Sequence, residues 1–209
     1  MNLSLSSCAL LASARRMASA TLATAMACSA LAPAAHAQVP TAQLQPAASQ
    51  IVFTTRQMGV PVEGSFGKFT AQIALDPKKP ESGSVSFAID TGSARFGSPE
   101  LDGETPKPVW LNTPKFPQAT FQSTAVKAAG PGKFEVAGKL AIKGSVRDVV
   151  VPVSIVQAGG SNPLSTAVGT FTIKRLEFKV GEAEWADTSM IANDVQVRFK
   201  LVLAGLGAL

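Results

Sequence analysis

The sequence predicts an all-β domain of eight antiparallel strands, and three observations carry that expectation. Apolar residues recur with a period of two: Phe69, Ala71, Ile73 and Leu75; Val85, Phe87 and Ile89; Val195, Val197, Phe199, Leu201 and Leu203. Polar residues fill the alternate positions, so one face of each strand meets apolar surroundings and the other meets water. Turn signals punctuate the runs at Asp76-Pro77, Gly130-Pro131-Gly132, Gly144 and Gly159-Gly160. The runs themselves are rich in Thr, Val and Phe, the residues that pack well on a pleated surface.

The first residues belong to a different kind of segment. Residues 1–37 contain no acidic residue, carry Arg15-Arg16, continue through an Ala-rich apolar stretch over 17–33 and end in Ala35-His36-Ala37. This is the three-part pattern of a cleaved secretory signal peptide. Its apolar part is too short and too Ala-rich for a good membrane span. The paired arginines leave the export route open between the general and the twin-arginine systems. Cys28 lacks the bulky apolar residue that usually stands three positions before a lipidated cysteine. Cleavage ahead of Gln38 leaves one domain's length of chain.

That cut removes more chemistry than length. Cys8, Cys28 and His36, the only residues of their kinds, all lie in 1–37, and the chain has no tyrosine. Ser-His-Asp and Cys-His nucleophilic catalysis are therefore excluded for the secreted part. So are imidazole- or thiolate-based metal sites and disulfides. The formal net charge of +5 falls by two when Arg15 and Arg16 leave. No run or stripe of Lys and Arg points to nucleic acid.

Residues 38–49, "QVPTAQLQPAAS", offer little to bury and read as a flexible lead-in. Strands are expected near 50–57, 60–75, 83–92, 119–128, 133–143, 146–157, 167–178 and 194–204. In the stretch 133–155, Phe134, Val136, Leu140 and Ile142 share one parity, with Glu135, Lys139 and Lys143 on the polar one. After the turn at Gly144, the parity of Val149, Val151, Val153 and Ile155 continues the apolar wall. Residues 97–118 hold five prolines and no period, with room for one short helix around 108–113. A second irregular stretch, 181–193, contains Trp185. Both are long enough for rim loops or lids. Gly64-Ser65-Phe66-Gly67 lacks the ending of a phosphate loop and reads as a bend or bulge. Eight strands with one apolar face close into a barrel or stack as a sandwich, and periodicity does not separate the two. An outer-membrane barrel would need aromatic girdles that two tryptophans do not supply.

Five segments in order resemble the YceI-like family of secreted lipid-binding proteins. They are "FTTRQMGVPVEGSFGKFTAQIALDP", "SVSFAIDTGSARFG", "KFPQATFQS", "VAGKLAIKGSVRDVVVPV" and "FTIKRLEFKVGEAEWAD". The resemblance implies a periplasmic, eight-stranded antiparallel lipocalin-like β-barrel with an elongated apolar pocket, over residues 50–209. It implies a polyisoprenoid or isoprenoid quinone as ligand and no catalytic cofactor. Some relatives accompany b-type cytochromes, which makes a membrane b-type cytochrome the second candidate partner. Family members often carry His near the early strands. "QMGVPVEGSF" stands there in this chain, so the head group is the less transferable part.

Residue chemistry points the same way. An isoprenoid tail needs an apolar bore and few hydrogen bonds, at roughly 0.8 kcal/mol per buried CH₂. The inward parity nominates Phe69, Ile73, Phe87, Ile89, Phe121, Leu140, Val151, Val153, Phe171 and Val197 for that bore. Trp110 and Trp185 are candidates for closing its mouth. Arg175 is expected to point inward, paired with Glu177 or Glu184, and to meet a polar head group. Glu177, Glu182, Glu184 and Asp187 form the densest acidic group, without the spacing of a glycosidase pair or a calcium loop. Two other readings remain: a barrel filled by its own side chains that docks onto a membrane redox protein, and a carboxylate-dependent secreted enzyme.

Overall fold

A computed structural model describes residues 39–159 and 163–209. The expected signal peptide, 1–37, lies outside the described residues. Eleven strands run in chain order: β1 Thr41–Leu44, β2 Gln50–Gln57, β3 Val60–Phe66, β4 Phe69–Ala74, β5 Ser84–Asp90, β6 Ala94–Arg95, β7 Gln118–Gly130, β8 Lys133–Ile142, β9 Ser145–Gln157, β10 Leu164–Lys174 and β11 Asp194–Ala204. Among the described residues one α-helix occurs, α1, Pro99–Glu104. The strands form a closed eight-stranded antiparallel barrel.

The count of eight reconciles with eleven because two wall positions are bent strands, β1 with β2 and β3 with β4, and β6 is a two-residue strand that pairs only with β3. β1 pairs β4 and β11 at one end of the barrel, and β2 pairs β3 and β11 towards the other. Between β1 and β2 a short 3-10 turn, Pro46–Ala48, breaks the ladder. Between β3 and β4 the break falls at Gly67-Lys68, where the Gly67 amide donates to the Ser93 carbonyl (3.1 Å) instead of to a strand. The expected single strand over 60–75 is thus two strands. The lead-in is corrected too: residues 41–44 pair into the sheet, and Ala42 is buried in the core. Its low hydrophobic content hid this, because a strand that closes a barrel gains backbone hydrogen bonds along both edges.

Hairpins follow from local chemistry. Met58-Gly59 and Lys143-Gly144 each place two residues at positive φ, +49° and +81° in the first and +48° and +77° in the second. That is the two-residue hairpin geometry whose twist matches the strands, and glycine takes the second place at little cost.

The seam between β9 and β10 also has a cause in the sequence. The Ile155 amide donates towards β8, to the Gly132 carbonyl (2.7 Å). Strand N–H groups alternate in direction, so residue 152 should donate to β10. It is Pro152, which has no N–H. The ladder between β9 and β10 ends there, at Gly169 opposite Val153. β10 then stops at Lys174 and turns as a 3-10 segment, Arg175–Phe178, against the free part of β9. Phe178, 1% exposed, plugs the seam. The expected strand over 167–178 accordingly ends at Lys174, and it begins earlier, at Leu164.

The helix expected around 108–113 forms earlier, at Pro99–Glu104. Pro99 sits in its first turn, where a missing N–H costs nothing, and Glu100 and Asp102 favour the positive helix end. Residues 107–116 are a chain of turns, with Trp110 N bonded to Lys107 O (3.0 Å) and Phe116 N to Asn112 O (2.9 Å).

The packed core occupies one half of the barrel. Ala42, Ile73, Leu75, Val126, Phe134, Val136, Ile155, Ala167, Leu201, Leu203 and Leu206 form it.

Candidate ligand cavity

Above that core the barrel is hollow. A cavity of about 280 Å³, measured as room for the centre of a water-sized sphere, lies in the half bounded by residues 91–117 and 176–193. Its walls come from the inward parity of β2, β3, β5, β7, β8, β10 and β11. β9 supplies nothing, because its upper part peels away from β10 at Pro152. Phe53, Phe66 and Phe96 form an aromatic cluster on one side, with Phe53 5.0 Å from Phe66 and edge-on to Phe96 at 5.1 Å.

Four phenylalanines make the layer beneath. Phe69, Phe121 and Phe199 are the cross-strand partners of the lining residues Ile89, Leu140 and Ile51. Phe87 stands opposite Phe121 and stacks on Phe69 at 6.1 Å. All four pack on the core and not on the cavity. Two rest on inward-facing glycines. A Cβ on Gly138 would stand 2.5 Å from Phe121 Cζ, and one on Gly169 would run into the Phe199 ring. Lacking side chains there, the wall lets each ring lie flat against the backbone.

The ten residues nominated for the bore therefore divide. Ile89, Leu140, Phe171 and Val197 line the cavity. Phe69, Ile73, Phe87, Phe121, Val151 and Val153 face inward but do not line it, because they stand in or beside the packed half. Alternation reports which side of the wall a residue is on and nothing about its height along the barrel axis. Ile51, Phe53, Phe66, Leu101 and Ile191 line the cavity without having been nominated. The first three lie on the inward parity of β2 and β3, so the signal was present for them. Leu101 comes from the six-residue α1, too short to show a helical period, and Ile191 from a loop, where no periodicity exists to read.

The mouth is closed by two loops that meet. Trp110 and Trp185 pack at 5.6 Å between ring centroids, and the Gly181 amide donates to the Val109 carbonyl (2.8 Å). Both tryptophans border the cavity. Thr91, buried, ties the first loop down by donating its hydroxyl to the Phe116 carbonyl (2.8 Å).

Arg175, 3% exposed, holds the second loop. Nε donates to Ala192 O (3.1 Å). Nη1 donates to Val180 O (3.0 Å) and Gly181 O (2.6 Å), and Nη2 to Trp185 O (2.7 Å) and Ile191 O (2.8 Å). A guanidinium has five N–H groups, and all five are used. The expected carboxylate partner is corrected: Glu177 instead lies 3.8 Å from Arg147, and no salt bridge joins Arg175 to Glu184. Carbonyls win because the loop wraps the guanidinium and must satisfy its own backbone out of water. Without a counter-charge, burial pulls the Arg175 pKa below its ordinary value. No donor remains for a head group, so Arg175 shapes the mouth by ordering it.

Lys143 was expected on the solvated face and is buried instead. Its αL turn directs Nζ to Val109 O (3.1 Å) and Lys179 O (2.5 Å), one carbonyl from each loop. Glu182 lies 3.9 Å away. Desolvation lowers the Lys143 pKa, and the Glu182 carboxylate partly restores it. Glu177, Glu182, Glu184 and Asp187 do not converge on one point. Among the described residues no cluster of metal-ligating side chains occurs, and no helix is long and apolar enough to cross a membrane.

Residues 43–203 match the family described as the YceI-like domain. Among solved structures the chain is similar to Burkholderia cenocepacia BcnA, with 41% identity, a TM-score of 0.73 and coverage of 77% of this chain and 99% of that one. It also resembles a polyisoprenoid binding domain from Saccharophagus degradans implicated in plant cell wall breakdown, in fold alone: 15% identity, TM-score 0.64, 80% and 99% coverage. A UPF0312 protein of Azotobacter vinelandii is 32% identical over 96 residues, which span 46% of this chain and half of that protein. One from Vibrio cholerae is 27% identical over 157 residues, 72% of this chain and 83% of that protein.

Proposed function

The chain belongs to the YceI-like domain family, and with the mouth-side cavity as the second premise we propose that it is a periplasmic carrier of a polyisoprenoid-like molecule. The observation that carries the reading is the apolar cavity beneath two joined loops. Most wall residues are aliphatic or aromatic, the exceptions being Thr55, Gln57, Thr91, Glu104, Thr105 and Arg175, and the guanidinium of Arg175 has no free donor. Such a site holds a guest by burial and offers nothing to react with it. The likeness to a polyisoprenoid binding domain supports the same ligand class. An isoprenoid quinone fits within that class, its ring at the mouth against Trp110 and Trp185.

The barrel filled by its own side chains, docking on a membrane b-type cytochrome, is the second reading. Its requirement is met in the lower half only, and the hollow upper half favours the carrier.

The test is native mass spectrometry of protein exported by a bacterial host and purified without detergent, then solvent extraction of whatever is bound. The carrier should retain a non-covalent apolar mass, and its N-terminus should read from Gln38. Protein that is folded and empty after export, and stays empty when offered prenyl lipids, overturns the reading.

A further inference from the structure

Resting on that reading, we infer that the protein docks on the surface of a phospholipid bilayer by the tip of its β2–β3 hairpin, where Met58, Val60 and Met190 enter the lipid. The three side chains are 65%, 63% and 43% exposed. They share one corner of the mouth. The Met58 amide donates to the Met190 carbonyl (2.8 Å), and Val60 stands opposite Gln57 across the turn. Apolar side chains grouped at a projecting tip mark a contact site, whereas single ones scattered over a surface do not.

Local structure does not explain Met58. It takes the first place of the turn at φ +49°, where Asn, Asp or Gly is favoured and a long apolar side chain is not. Lys143 holds the equivalent place in the β8–β9 hairpin, and there two hydrogen bonds to loop carbonyls offset the strain. Met58 leaves its side chain in water.

What surrounds the tip identifies the occupant. Gln57 and Ile191, bridged just behind Met58 and Met190, both line the cavity. Val60 continues the inward parity of Val62 and Phe66, which line it too, so the apolar lining runs out past the rim to the tip. A lipid guest is exchanged with the phase that dissolves it, and this continuous surface faces that phase. Methionine, flexible and polarisable, suits a medium with no fixed shape. Beside the tip, exposed Arg56 gives one N–H to the Gly59 carbonyl (3.2 Å) and forms no salt bridge among the described residues. Its remaining donors suit lipid phosphates at the depth an interfacial apolar tip reaches. The acids nearest in sequence are engaged elsewhere: Asp187 accepts from the Ser189 amide (2.8 Å) and hydroxyl (2.7 Å), and Glu63 pairs with Arg198.

The test is flotation of the exported protein with vesicles of phosphatidylethanolamine and phosphatidylglycerol, with no prenyl lipid added. The parent should rise with the vesicles. Withdrawing one apolar side chain from the interface should weaken the partition by roughly tenfold. Met58→Asn is the sharpest variant: asparagine suits the turn, so thermal stability should hold or rise while vesicle binding falls. Adding Met190→Ser should weaken binding by a second step of similar size. Circular dichroism and thermal melting report folding, and Met58→Asn alone decides should the double variant fail to fold. A parent that stays behind with free protein, or a folded Met58→Asn protein that floats as well as the parent, refutes the docking surface. Flotation only with vesicles that carry bacterial membrane proteins refutes the bilayer as occupant and assigns the tip to a protein. The two readings fail separately. Protein that floats and never holds a guest loses the carrier, and protein that holds a guest and never floats loses only the docking.

Discussion

Replacing Arg175 by Met tests how the mouth is built. Methionine keeps much of the aliphatic stem and removes five N–H donors. Five carbonyls lose their partner, those of Val180, Gly181, Trp185, Ile191 and Ala192. The bonds to Gly181 and Ile191 are fully buried, and the other three are partly so and can recruit water. A buried acceptor left unsatisfied costs about 1–3 kcal/mol. Two of them, with a smaller contribution from the rest, give a loss of about 3–5 kcal/mol. At roughly 2–4 °C per kcal/mol for a domain of this size, Tm should fall by about 6–20 °C. Urea denaturation followed by tryptophan emission is the assay, since Trp185 rides on the affected loop against Trp110. If the loop detaches first, the Trp emission changes before the strands melt by far-UV circular dichroism. Arg175→Lys offers three donors in place of five and should fall between the two. A Met variant that melts within about 2 °C of the parent would show that the carbonyls are satisfied without the guanidinium, and the account of the mouth would fail.

Two further perturbations separate electrostatics from packing. Lys143 has a pKa lowered by burial, so the unfolded chain holds its proton to higher pH than the folded one, and this group's contribution to stability rises with pH towards its ordinary 10.5. The Tm gap between the parent and Lys143→Met should therefore shift in the parent's favour as pH climbs through the alkaline range below that value, and a gap independent of pH contradicts the assignment. Gly138→Ala places a Cβ 2.5 Å from the Gln122 backbone oxygen and 2.5 Å from Phe121, so the fold should lose about 1–3 kcal/mol in chemical denaturation. The same change at Gly103, where a Cβ would meet nothing, serves as the control and should cost little.

Much of the wall could be read in advance because a strand's side chains alternate and water enforces the alternation. The inward parity of β5, β8, β10 and β11 is as expected from Phe87, Leu140, Phe171 and Val197. Failures came where a residue's role depends on partners far along the chain. Thr41–Leu44 looked unstructured because its stabilisation is backbone pairing with β4 and β11, which leaves no trace in its composition. Lys143 looked solvated because its parity matched Lys139. The αL turn takes it out of the strand's alternation and sends its ammonium to two loops. Pro152 was visible from the outset in "VVVPVSI", and its consequence for the β9–β10 seam needed the direction of the neighbouring N–H groups.

By itself the sequence determined the all-β class, the apolar face of each wall strand, the lack of His and Cys chemistry beyond residue 37, and the turn at Gly144. These follow from side-chain identity and local backbone preference, which act over a few residues. The tertiary structure alone decided where along the axis packing gives way to open space, which carbonyls surround Arg175, and that Trp110 meets Trp185. Each of these depends on distances between segments separated by tens of residues. Such distances are set by how the strands tilt, stagger and close into a ring, and a two-residue period is the same at every height of the barrel.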